Sequence, residues 1–159
     1  MLHFNSKGFL IPNLNILSDV KELESEFVIN INSEKRKVLF DKYTEYSNLI
    51  KNELEYSFLL QWIDGSFTSK KSEPQDIDIV SFVDYKEIEE NSHKLDHFKY
   101  PASLTNFGVD AYIVLVYPRE HKNYSLYIGD RLYWMDLFDK TKRNRNGLKN
   151  PKGFLELNF

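Results

Sequence analysis

Three short apolar, β-prone runs constrain this chain more than any other feature. They cover residues 58–63, 77–83 and 109–117, and longer polar stretches keep them apart. Each is rich in Val, Ile and aromatic residues and short enough for a buried strand. Gly65-Ser66 breaks the first run and Pro118 ends the third. Upstream, residues 33–56 predict a long helix. Ser33 suits its N-cap, Glu34 its first turn, and no Gly or Pro interrupts it. Leu39, Tyr43, Tyr46, Ile50 and Leu54 recur at helical spacing and mark its buried face. Residues 85–98 and 124–140 also predict helices, the second weakened by Gly129. Residues 154–159 alternate enough for a terminal strand. Residues 1–32, punctuated by Gly8 and Pro12 and then acidic (Asp19, Glu22, Glu24, Glu26), suggest an extended arm and a short helix. The order predicts a single α/β (α+β) domain over residues 1–159, with helices packed on a small mixed β-sheet.

A chain of 159 residues can bury a sizeable core without covalent staples. The absence of cysteine excludes disulfides, thiolate catalysis and Cys-ligated metal. A net charge of −3 argues against diffuse nucleic-acid binding, so any such role needs a local basic patch. The basic cluster is Lys140, Lys142, Arg143, Arg145, Lys149 and Lys152, within a loop over 140–152. It could contact a triphosphate, RNA or an acidic partner, or be a solvated surface. No run reaches the roughly 18 apolar residues of a membrane helix, and the N-terminus does not read as a signal peptide. A cytoplasmic location and no membrane partner are expected.

Two segments carry chemistry: Trp62-Ile63-Asp64-Gly65-Ser66-Phe67-Thr68-Ser69, then Asp76-Ile77-Asp78-Ile79-Val80. Gly65 lets a ligand approach the backbone closely. If a helix starts after Ser66, its free N–H groups favour an anion. The Ser66 hydroxyl adds a donor, and Ser69, Lys70 and Lys71 continue the loop. That combination suits a triphosphate. Asp76 and Asp78 stand two apart, which places both on one face of a strand. Like charges there need a cation or a proton, and Mg²⁺ takes one or two carboxylates together with phosphate oxygens. Asp110 interrupts the third apolar run. If that strand lies beside the second, the three carboxylates converge and can hold two Mg²⁺ ions. A polar edge strand in water is the competing reading of Asp76 and Asp78, but it does not predict Gly65-Ser66 or Asp110.

Gly-Ser, a loop, Asp-hydrophobic-Asp, then a later hydrophobic-Asp-hydrophobic strand resembles the DNA polymerase β-like nucleotidyltransferase superfamily. Gly65, Ser66, Asp76, Asp78 and Asp110 match it residue by residue, within residues 62–113. The whole chain also resembles a small bacterial nucleotidyltransferase-like family of unassigned function. That likeness rests on Phe4, Gly8, Leu10 and Pro12, the Trp-Ile-Asp-Gly-Ser-Phe run, the Gly-Val-Asp-Ala-Tyr run, and Tyr133, Trp134 and Phe138. The resemblance implies the superfamily fold, with Asp76, Asp78 and Asp110 as metal ligands. Asp110 would also help activate an attacking hydroxyl, and Gly65 and Ser66 would hold the β- and γ-phosphates. The implied reaction moves a nucleoside monophosphate from a nucleoside triphosphate, with ATP the expected donor, to an acceptor hydroxyl. Minimal members act as antitoxins that nucleotidylate a partner toxin, so an antitoxin or phage-defence role is in view. The alternative is a catalytically silent module that binds and neutralises a protein partner. Many minimal members carry an Arg soon after Gly-Ser, where this chain has Lys70 and Lys71. The chain lacks room for the helical substrate domain of larger relatives, so a shared site in a dimer is also open.

Other features weigh less. His93 and His97 stand four apart on an expected helix, better read as an exposed face than as a metal site. Tyr124, Tyr127, Tyr133, Trp134, Leu137 and Phe138 cluster on the last expected helix, mostly as core. Trp134, Leu137 and Phe138 fit its buried face, and Tyr124 and Tyr127 suit a partner contact.

Overall fold

The computed structural model describes the backbone of all 159 residues and the side chains of all but residues 88–91. Strands β1 (His3–Phe4) and β2 (Leu10–Ile11) form an antiparallel hairpin. After β3 (Asn15–Leu17) come α1 (Val20–Glu24), a π-helical turn (Ser25–Ile29) and α2 (Glu34–Glu53). Then follow β4 (Leu60–Asp64), β5 (Asp78–Asp84), α3 (Tyr85–Leu95), a 3-10 turn (Asp96–Phe98) and α4 (Ala102–Phe107). The chain closes with β6 (Asp110–Val116), α5 (Tyr124–Phe138) and β7 (Phe154–Asn158).

The main sheet is mixed, in the order β3-β7-β4-β5-β6. β4 is antiparallel to both β5 and β7, while β5–β6 and β3–β7 run parallel. Alternation along the strands creates two apolar faces. One carries Ile63, Ile79, Val83, Ala111, Leu155 and Leu157, and packs against α2. All five predicted face residues of α2, Leu39 through Leu54, are buried there. Ser33 is its N-cap in position only: no side-chain bond caps the helix, and the Ser33 hydroxyl donates to Glu73 instead. Under α2, Gln61 is satisfied within the core by Tyr43, Ser47 and Ser81.

The second face carries Trp62, Val80, Phe82, Val114 and Phe154, covered by α5 through Phe138. The cover is thin. Of the six aromatic and apolar residues expected on this helix, only Phe138 is buried. Tyr127 and Trp134 are half-buried against this core, while Leu137 is 44% exposed and Tyr133 61%, so the expectation of a mostly buried cluster holds only in part. α5 is apolar on all sides, and periodicity therefore could not say which side faces the sheet.

Three further expectations change. The N-terminal segment is extended and followed by a short helix, as expected, but it is part of the main sheet, because β3 pairs in parallel with β7. α4 was not foreseen, since its six residues, Ala102–Phe107, carry no legible period. Asp76 lies outside β5, in the loop before it. Among the described residues no helix is long and apolar enough to cross a membrane. His93 is exposed, and the His97 ring packs on Phe98.

Candidate active site

The sheet register assembles the site. Asp64 at the end of β4 pairs with Asp78 at the start of β5, which pairs with Asp110 at the start of β6. Paired residues share a face, so these three carboxylates form a row across adjacent strands. Trp62, Val80 and Tyr112 form the next row on the same face. Asp76 joins from the preceding loop.

That loop is held closed by its own residues. No helix begins after Ser66; residues 65–68 are bends and turns, and Ser69 forms an isolated antiparallel bridge with Phe9. Gly65 has φ +85°, and a Cβ there would lie 2.9 Å from the Asp76 carbonyl oxygen. Only glycine fits both the left-handed backbone and the close approach. The Ser66 N–H and hydroxyl both donate to Asp76 Oδ1, at 2.8 and 2.6 Å. The donors expected to face a phosphate therefore hold Asp76 here. Ser69 is buried, with its hydroxyl on the Ser66 carbonyl. Beneath the loop lies Arg36, fully buried. Its guanidinium donates to the carbonyls of Phe27, Phe67, Ser69 and Lys71. Burial lowers its pKa to about 10, with Glu73 opposing the shift. Lys70 N–H donates to Gly8 O at 2.9 Å, joining the β1–β2 hairpin to the loop.

The basic loop completes the walls. Lys142 Nζ lies 3.3 Å from Asp76 Oδ2. Lys152, expected as one member of the basic cluster, is buried and ion-paired with Asp64. A cavity of about 1060 Å³ lies between hairpin, loop and sheet. Gly65, Ser66, Ser69, Lys70, Lys71, Asp76, Asp78 and Asp110 all line it. Lys70 is pulled to one side by Glu26, at 3.2 Å, and its ammonium lies over the Phe4 ring.

The carboxylates are electrostatically unequal. Burial opposes ionisation of Asp76, but the Ser66 hydrogen bonds and the Lys142 charge outweigh it and hold its carboxyl below the usual range. Burial, then the charges of Asp76, Asp64 and Asp110, push Asp78 up to about 7. Asp110 is raised by burial and by Asp76. Burial also raises Asp64, against the pull of Lys152. Such divergent values in one cavity are characteristic of functional sites.

Hard carboxylate oxygens suit Mg²⁺. Asp110 Oδ1 is buried and accepts no hydrogen bond, an orphan acceptor that a cation would satisfy. Among the described residues no group of three or more His, Asp or Glu side chains is poised to hold a metal ion as it stands. Asp76 is turned to Ser66 and Lys142. The donor set fits the ion, and Lys142 now balances part of its charge.

Residues 2–158, almost the entire chain, match one family. The chain belongs to DUF6932, a family of unknown function. No curated protein and no solved structure was found to match it. In this DUF6932 chain, sequence reasoning missed three residues that shape the site. Asp64 had a signal, an acid ending an apolar strand directly before Gly-Ser. Lys152 and Arg36 had none: a cation in a basic run, or on a charged helix, shows its burial only in three dimensions.

Proposed function

We propose that this DUF6932 chain is a Mg²⁺-dependent nucleotidyltransferase, transferring a nucleoside monophosphate from a nucleoside triphosphate to an acceptor hydroxyl. The observation that carries this reading is the convergence of Asp76, Asp78 and Asp110 on one cavity beside the Gly65–Ser66 turn, with Asp110 Oδ1 unpartnered. Asp76, Asp78 and Asp110 would hold two Mg²⁺ ions. Bound there, the ions would neutralise the carboxylates and stabilise charge on the attacking and leaving oxygens. Ser66 would turn its donors from Asp76 to the β- and γ-phosphates, joined by Lys70 and Lys71. Lys142 would leave Asp76 and clamp the departing pyrophosphate. Asp110 would accept the proton of the attacking hydroxyl, whose oxygen bonds to the α-phosphorus as the bond to the bridging oxygen of the β-phosphate breaks. ATP is the first donor to test. A cytoplasmic setting and an antitoxin or phage-defence role belong to the same proposal.

A second reading is a silent module that neutralises a protein partner. The exposure of Leu126, Leu132 and Tyr133 on α5 favours it.

Thermal melting with each of the four nucleoside triphosphates, with and without Mg²⁺, separates the two. A ligand at 100 times its Kd adds about 2.7 kcal/mol, a shift of several degrees for a domain this size. The expected result is a Mg²⁺-dependent shift that Asp76→Asn abolishes, together with loss of transfer. No shift with any nucleotide sinks the enzymatic reading and leaves the partner-binding one.

A further inference from the structure

The cavity carries more positive charge than a triphosphate donor can use. Eight Lys and Arg side chains and four carboxylates line it, on a chain whose net charge is −3. Lys152 is spent on Asp64, Lys140 on Asp136 and Asp139, Lys70 on Glu26 and Lys142 on Asp76. Lys7, Lys71, Arg143 and Lys149 also line the cavity and form no ion pair among the described residues. Asp78 and Asp110 line the cavity without an ion-pair partner among the described residues and offset two of these four; a nucleoside triphosphate with two Mg²⁺ ions is close to neutral as a set, so its arrival leaves the remainder unanswered. Lys71 sits on the Gly65–Ser66 loop, on the donor side. Arg143 and Lys149 belong to the basic loop, and Lys7 meets that loop by donating to Asn150 Oδ1 at 2.6 Å.

Two aromatic rings line the same cavity as these cations. Tyr112 is two residues beyond Asp110 on β6, on the same face, next to the carboxylate assigned the acceptor proton. Its ring is 4.4 Å from that of Trp134, both half-buried and both lining the cavity. Proteins hold single nucleotides and strand ends in sites that combine cations with ring faces. Tyr100 already stacks on Tyr112 at 5.7 Å; an acidic peptide would answer the cations but bring no base to the Tyr112–Trp134 pair.

We infer that the acceptor is itself a nucleotide unit, its base against Tyr112 and Trp134 and its phosphate held by Arg143 and Lys149. The inference rests on the nucleotidyltransferase reading. The product is the acceptor joined through its hydroxyl oxygen to the transferred α-phosphate, with pyrophosphate released.

The test fills the donor site of the full chain with Mg²⁺ and a triphosphate whose α,β-bridge is methylene, so that no transfer occurs. Binding of a short labelled oligoribonucleotide is then measured by anisotropy across a salt series. Free nucleoside monophosphate and polyglutamate serve as competitors. The oligonucleotide should bind with the donor analogue in place. The Arg143→Ala/Lys149→Ala double variant should weaken binding about tenfold or more and flatten the log–log salt slope by about 1.4. Trp134→Leu should weaken it with the slope unchanged. Both cations are exposed, so the double variant should keep the native melting curve. Competition by the monophosphate assigns a free nucleotide as acceptor, and competition by oligonucleotide alone assigns a strand end; either supports the inference. Loss of binding once the donor analogue is present, indifference to the double variant, or displacement by polyglutamate but not by nucleotides overturns it. Failure of the donor analogue itself to bind with Mg²⁺ marks the separate failure of the nucleotidyltransferase reading.

Discussion

Asp78 shows how one residue can be costly to the fold and useful to the site. Its carboxyl titrates near 7 in the folded chain, against an ordinary value of 3.8. A raised carboxyl opposes folding in full above the folded value, and the opposition fades as pH falls toward the unfolded one. The metal-free protein should therefore gain stability as pH drops from about 8 to about 5, by an amount on the order of 2–4 kcal/mol. Asp64 and Asp110 are shifted the same way and add to the trend. Asp76 is shifted down and works against it only at lower pH. Asp78→Asn should raise stability at pH about 8 and flatten most of this dependence. Urea midpoints in the presence of a chelator would measure both. A native curve flat across this range would contradict the account.

At the scale of elements, the decisive link runs from α2 to the loop after β4. Arg36 enters the core from the first turns of α2 and takes four loop and turn carbonyls. It lies near the Phe27 and Phe67 rings. Lysine is a single-point donor and cannot reach those carbonyls as a planar fork does. Arg36→Lys should cost about 2–4 kcal/mol, since buried carbonyls lose their partners. The damage should be local first. Amide hydrogen exchange should rise across residues 66–71 before the strands loosen, and affinity for a triphosphate should fall even where the fold survives. Unchanged exchange in that loop would show that Arg36 serves α2 alone.

Across the whole molecule, the C-terminal strand and the site are tied by one buried ion pair. Lys152 leads into β7, and its ammonium meets Asp64 at the end of β4. Gly153 follows, so close to the N-terminal segment that a Cβ would clash with the Pro12 carbonyl. The beginning, middle and end of the chain thus meet at the wall of the cavity. Lys152→Met strands a buried carboxylate and should cost about 3–5 kcal/mol. Adding Asp64→Asn should recover most of that loss, because removing both charges is far cheaper than removing one. Denaturation of the two singles and the double forms the cycle. Additive losses would mean that the two residues act separately.

The sequence determined the local elements and the chemistry they could carry. Periodicity marked α2 and its buried face, β-prone runs marked β4, β5 and β6, and Gly65, Ser66, Asp76, Asp78 and Asp110 stood out as polar or flexible breaks in apolar strands. These signals are local, written in spacing and residue type. Tertiary structure decided what depends on register, burial and distant partners. It paired Asp64, Asp78 and Asp110 in one row and turned the N-terminal segment into a sheet strand. It spent the Ser66 donors on Asp76, buried Arg36 and Lys152, and left most of α5 in solvent. A side chain's composition does not reveal whether it will be desolvated. Only packing decides that, because the free energy of a charge or ring depends on what surrounds it.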